Sequence, residues 1–116
     1  MRIPVVGFIP PILGVDGEFN TFRLGGFYAK HLLPGQTVYL LNEREKIVFG
    51  SAVVESIEVG KLDEMCKLYA HRNHTELLND EEGAPERLMK TMLKIYGPHI
   101  ALPGKKTTIL NMKRLE

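Results

Sequence analysis

The chain holds a single cysteine, Cys66, in 116 residues. No internal disulfide can form, so stability must come from packing, and the composition fits a reducing cytoplasm. An excess of one sign of charge is also missing. The chain has 15 Lys and Arg against 14 Asp and Glu, a formal net charge of +1. That argues against a strongly basic nucleic-acid coat protein, and any attraction for phosphate has to be local. No apolar run approaches the roughly 20 residues that a membrane-spanning helix needs. The apolar N-terminal stretch carries one arginine and early prolines, and no small-residue cleavage site follows it, so it is not read as a signal peptide. No Gly-x-Gly-x-x-Gly loop, Walker loop or nucleophile elbow is present. Internal repeats, linkers and low-complexity tracts are absent too.

What is present suits one domain, residues 1–116, with 44% hydrophobic residues to build a single core. Residues 3–9 are short and apolar, as a buried strand would be. Pro10-Pro11 breaks that strand, an Ile12-Leu13-Gly14 turn follows, and residues 20–25 form a second strand. Phe27, Tyr28, Ala29, Leu32 and Leu33 suggest one or two helical turns, with Lys30 and His31 facing away. Leu33-Pro34-Gly35-Gln36 has the pattern of a type II turn. Residues 37–41 form a strand and 42–46 a polar hairpin tip. Residues 47–59 are the longest strand-like run. It is apolar on both parities, and Gly50 is a position where a bulge would let it curl.

Leu62, Met65, Cys66, Tyr69 and Ala70 then recur at helical spacing behind Asp63 and Glu64, where carboxylates suit the helix dipole. An acidic loop covers 79–83. Pro85 opens a second helix with a stripe of Leu88, Met89, Met92, Leu93 and Tyr96, and Gly97-Pro98 stops it. Residues 106–112 are a last strand. Strands and helices do not alternate, so the expected class is α+β, a curled mixed or antiparallel sheet with helices at one side.

Thr21 and Arg23 are the first chemical candidates. Two residues apart on a strand, a hydroxyl and a guanidinium share one face, and Gly25-Gly26 lets backbone come close to whatever that face binds. Their ordinary reading is a strand threonine and a surface arginine. Their functional reading is a site for an anion or a base edge, since arginine offers a planar fork of donors. His71-Arg72-Asn73-His74 is the second candidate. Two histidines three apart could share a metal, but no cysteine or third histidine stands at a ligand spacing, so no metal and no cofactor is expected. This segment reads either as a polar helix end or as one wall of a cleft able to hydrogen-bond a nucleobase. Cys66 lies among apolar helix positions and reads as a buried structural thiol. Lys105, Lys106, Lys113 and Arg114 make the C-terminal region mildly basic.

In the order of its parts the chain resembles the ASCH-domain family of PUA-like β-barrels. The shared features are the early apolar strand with its Ile-Leu-Gly turn, Thr21-Phe22-Arg23-Leu24-Gly25, and Pro34-Gly35-Gln36-Thr37-Val38 leading into the next strand. The long strand near Ile57-Glu58-Val59 and the Lys94-Ile95-Tyr96-Gly97 phrase at the end of the second helix complete the likeness. The resemblance implies a small barrel with two to three flanking helices and a cleft beside the first helix. That cleft would bind RNA or a modified nucleoside, lined here by Thr21, Arg23, Arg72, Asn73 and His74, with Glu18 and Lys30 nearby. Phe22, Phe27 and Tyr28 are available for stacking.

Some members of the family resemble amidohydrolases that deacetylate acetylcytidine with a Lys, a Thr and a Glu. Here the Thr is Thr21, but Glu18 occupies the Lys position and Asn73 falls near the Glu position. Binding therefore carries over better than catalysis, with Glu76 and Lys30 as the residues that could stand in for the missing acid and base. A further reading is a protein-interaction domain, which an exposed patch of Phe and Tyr would favour.

Overall fold

The computed structural model describes residues 3–115; Met1, Arg2 and Glu116 of the expected 1–116 domain lie outside the described residues. Five strands form one sheet: β1 (Val5–Phe8), β2 (Glu18–Leu24), β3 (Thr37–Asn42), β4 (Ile47–Lys61) and β5 (Lys106–Leu115). Their spatial order is β1-β3-β4-β5-β2. β1 runs parallel to β3 and the other neighbours are antiparallel. The helices are α1 (Phe27–His31), α2 (Leu62–Tyr69), which tightens into a 3-10 turn at Ala70–Arg72, and α3 (Ala84–Tyr96). The architecture is a mixed, curled half-barrel with three helices, the α+β class expected from the sequence.

Two bulges curl the sheet. Leu40 pairs with Gly50 but Leu41 pairs with Val48, so Phe49 is the extra residue of β4. Val54 pairs with Met112 and Ser56 with Asn111, so Glu55 is the second. Each extra residue bends β4 and strengthens its twist, which lets one 15-residue strand serve both β3 and β5. Gly50 is glycine for a reason of space: a Cβ there would run into the guanidinium of Arg114. That guanidinium crosses the strand to donate to the carbonyls of Phe49 and Val15, each at 3.0 Å.

The sheet has apolar packing on both sides. Inside the curl lie Val6, Phe8, Phe19, Leu40, Val54, Leu110 and Met112. Outside, Phe22 and Ile109 lie under α2 and α3 with Leu62, Met65, Leu88 and Met92. The alternation along β2 is therefore settled: Phe19 points inward and Phe22 toward the helices. β4 runs to Lys61, one residue past Gly60, and α2 begins directly at Leu62.

The acidic loop before α3 is stapled by a half-exposed side chain. Arg87 donates from Nε and Nη2 to the Glu76 carboxylate at 2.8 and 2.7 Å, from Nη1 to the Glu82 carbonyl at 3.1 Å, and also to the Asp80 carbonyl. Glu76 is 5% exposed. Arg87→Ala should therefore lower the unfolding free energy by about 2–3 kcal/mol, since it leaves a buried carboxylate without its cation. A urea titration reads this as a lower midpoint at unchanged slope. A loss below about 0.5 kcal/mol would mean that solvent already screens the pair.

Candidate functional site

β2 is an edge strand, and its free edge is filled by the residues that follow the 3-10 turn. Asn73 bridges Asn20 in the parallel sense, and the His74 N–H donates to the Asn20 carbonyl at 3.0 Å. This places the His74 ring in the gap between the two ends of the sheet. It stands edge-on to Phe8 of β1 at 5.1 Å and to Phe19 of β2 at 6.3 Å. Its Nδ1 lies 3.1 Å from the Leu13 carbonyl, which can only accept, so Nδ1 carries the proton. Burial holds the imidazole well below its ordinary range, at about 4; the Leu13 bond works against this shift, and the Arg23 charge adds to it. The Ile12-Leu13-Gly14 turn thereby acquires a role. Gly14 has φ of +69°, and a Cβ there would overlap the His74 carbonyl oxygen, so only glycine lets this turn close over the histidine.

Thr21 and Arg23 follow Phe19 on the inner face of β2. Thr21 is 2% exposed. The Arg23 guanidinium lies over the Phe8 ring at 4.9 Å and the Tyr28 ring of α1 at 5.8 Å, within cation–π range. Its Nε is buried and has no hydrogen-bond partner among the described residues. Burial lowers its pKa below the ordinary guanidinium range, against the opposing pull of Tyr28, Tyr96 and Glu43. Glu43 also pairs with Lys46 at 2.9 Å. The open end of the sheet thus gathers Phe8, Thr21, Arg23, Tyr28 and His74, with Glu43 and Tyr96 within electrostatic reach.

The other residues expected in the cleft are placed differently. Glu18 and Arg72 face each other at 3.7 Å with both side chains about half exposed. Glu18 shares the parity of Asn20 and Phe22, so this pair lies on the helix side of β2, across the sheet from Thr21. Asn73 is 2% exposed, and its Oδ1 accepts from the Thr75 N–H at 3.0 Å and the Thr75 hydroxyl at 2.7 Å, which ties it into a turn. Glu76 is engaged with Arg87. Lys30 is exposed on α1.

Phe8, Glu43 and Tyr96 belong to the neighbourhood although sequence reasoning did not select them. Phe8 has the look of any strand phenylalanine. Tyr96 lay in a quoted phrase but read as helix stripe, and nothing marks Glu43. Cys66 is 2% exposed, and burial, with Asp63 adding to it, raises its thiol to about 11, out of range for a nucleophile at neutral pH. Among the described residues no three His, Cys, Asp or Glu side chains group as metal ligands, and no helix is long and apolar enough to cross a membrane. Two open cavities lie apart from Thr21 and Arg23. One of about 570 Å³ includes Asp63, Met89 and Pro103 in its lining, and one of about 560 Å³ includes Leu13, Phe49 and Arg114.

No protein-family model and no curated protein matches the chain. Solved structures do. The hypothetical protein PH0355 superposes with a TM-score of 0.67 at 12% identity, over 98% of this chain and 100% of that one. Protein EF3133 from Enterococcus faecalis V583, of the DUF984 family, gives 0.60 at 9% identity, over 90% of this chain and 64% of that one. ASCH from Zymomonas mobilis gives 0.52 at 16% identity, over 93% and 64%. The chain thus spans less than two thirds of the latter two proteins. At these identities the likeness concerns the fold, which this chain shares with ASCH from Zymomonas mobilis and with the DUF984 protein EF3133.

Proposed function

We propose that this ASCH-like domain binds RNA, or a modified nucleoside, at the open end of its sheet, with Arg23 as the anchoring group. One observation carries the reading: a guanidinium held over Phe8 and Tyr28 with a buried Nε that no side chain or backbone group among the described residues satisfies. Buried donors are rarely left unspent. A planar cation fixed over aromatic rings is already oriented to meet a phosphate or a base edge, and the ordering entropy is spent before the ligand arrives. His74 and Thr21 form the surrounding wall and floor.

Deacetylation receives less support. Thr21 is nearly inaccessible, Glu18 faces Arg72, Asn73 is tied to Thr75, and Glu76 is tied to Arg87. Glu18, Asn73 and Glu76 are thus each engaged elsewhere rather than with the Thr21 hydroxyl. His74, with its proton affinity so reduced, is a poor base.

The test is a titration with short single-stranded RNA at two salt concentrations. Arg23→Ala should weaken binding by tenfold or more, about 1.5–3 kcal/mol for a charged hydrogen bond, and reduce the salt slope by about one. Arg23→Lys should not restore it, because a point charge lacks the planar fork. No binding at low salt, or an affinity indifferent to Arg23→Ala, overturns the reading. Release of cytidine from acetylcytidine that is lost in Thr21→Ala would favour the enzyme instead.

A further inference from the structure

The aromatic contacts do not stop at Arg23. Tyr28, which lies under that guanidinium, is edge-on to Phe27 at 5.4 Å, and Phe27 lies 4.4 Å from His31 at a 40° tilt. Phe8, Arg23, Tyr28, Phe27 and His31 thus form a continuous row of flat groups from the interior of the curl to the surface. Phe27 is 65% exposed and belongs to neither core cluster. α1 has no fully buried residue, so core packing alone does not account for an aromatic at its first position. A lysine stands near it in the fold and another in the chain. The Lys106 side chain lies over Gly26, directly before Phe27, and Lys30 is exposed three residues after it.

We infer that α1 is a second stacking subsite, continuous with Arg23, for the neighbouring base of an unpaired RNA strand, whose phosphates lie against Lys30 and Lys106. The inference rests on the Arg23 reading and narrows its ligand to a single strand of two or more nucleotides. An exposed ring takes any base by its face, whereas a duplex hides those faces in its own stack. The two lysines supply the backbone attraction that a net charge of +1 cannot supply over the whole surface.

Affinities of the full chain for adenosine monophosphate, hexaadenylate and a blunt RNA duplex test it. Phe27→Ala is expected to weaken hexaadenylate about tenfold more than the mononucleotide, with Phe27→Trp restoring the difference. Changing both Lys30 and Lys106 to Gln should lower the salt slope for hexaadenylate by about two. The duplex should bind less tightly than the single strand. Equal effects of Phe27→Ala on both ligands, no effect on either, or preference for the duplex each overturn the extension. If the mononucleotide needs Arg23 while hexaadenylate ignores Phe27, the extension falls and the Arg23 reading stands. If no nucleotide binds at low salt, both fall.

Discussion

Phe8→Ala should lower the unfolding free energy by about 3–5 kcal/mol and remove binding at Arg23 in whatever protein still folds. β1 is four residues long and, among the described residues, pairs only with β3. No ladder joins it to β2 at the other end of the sheet, so side chains must do so. Phe8, 3% exposed, does most of this: its ring meets Phe19 at 6.3 Å, Phe49 at 6.1 Å, His74 at 5.1 Å and the Arg23 guanidinium at 4.9 Å. Each edge-to-face pair contributes about 0.5–1.5 kcal/mol beyond the area it buries. Alanine would leave a cavity under a partly buried cation, and the cation would then face water or fold away. Phe8→Leu separates the two effects, since it refills much of the volume and restores neither stacking nor the seat for Arg23. In urea, a Phe8→Ala midpoint within 1 kcal/mol of the parent would mean that this ring does not hold the sheet ends together.

The elements of the fold were legible because their signals are local. Proline, glycine and apolar periodicity marked the Leu33-Pro34-Gly35-Gln36 turn, the stripe of α3 and the long β4 within a residue or two. Gly50 flagged one bulge of β4, while the other, at Glu55, has no unusual residue to announce it. The shared face of Thr21 and Arg23 was legible as well, since a period of two needs only the knowledge that the segment is a strand.

What the opposite ends of the chain contribute to that face was not legible. Whether residues 71–74 reach the inner or outer side of β2 depends on how the 3-10 turn lands on a free edge. The outcome divides adjacent residues: His74 goes into the curl and Arg72 out to Glu18. Asn73, expected in the cleft wall, carried a signal that sequence reasoning passed over: Asn two before Thr is a common turn pair that consumes its own oxygen. The Ile12-Leu13-Gly14 turn was visible as a turn. Its reason, a glycine pressed on the His74 backbone, exists only once residues sixty apart have met.

Acid should open this closure through His74. In the unfolded chain the ring takes its proton near the ordinary 6.5, and in the fold only at about 4. Between those values the unfolded state binds one proton more, so stability falls as the pH drops through this window. Above 6.5 the group contributes no slope; below 4 the whole contribution is gone, about 3 kcal/mol for a shift of this size. The cause is spatial. A protonated ring would sit between Phe8 and Phe19 beside the Arg23 charge, and among the described residues only the Leu13 carbonyl is bonded to it. His74→Gln, which keeps a donor for Leu13, should cost stability at pH 7 and flatten the decline between 6.5 and 4 by nearly one proton. Equal slopes for parent and variant would place the acid sensitivity elsewhere. A loss of RNA affinity over the same interval, steeper in the parent than in His74→Gln, would tie closure of the sheet to its use, because the ring that would be expelled shares the Phe8 seat with Arg23.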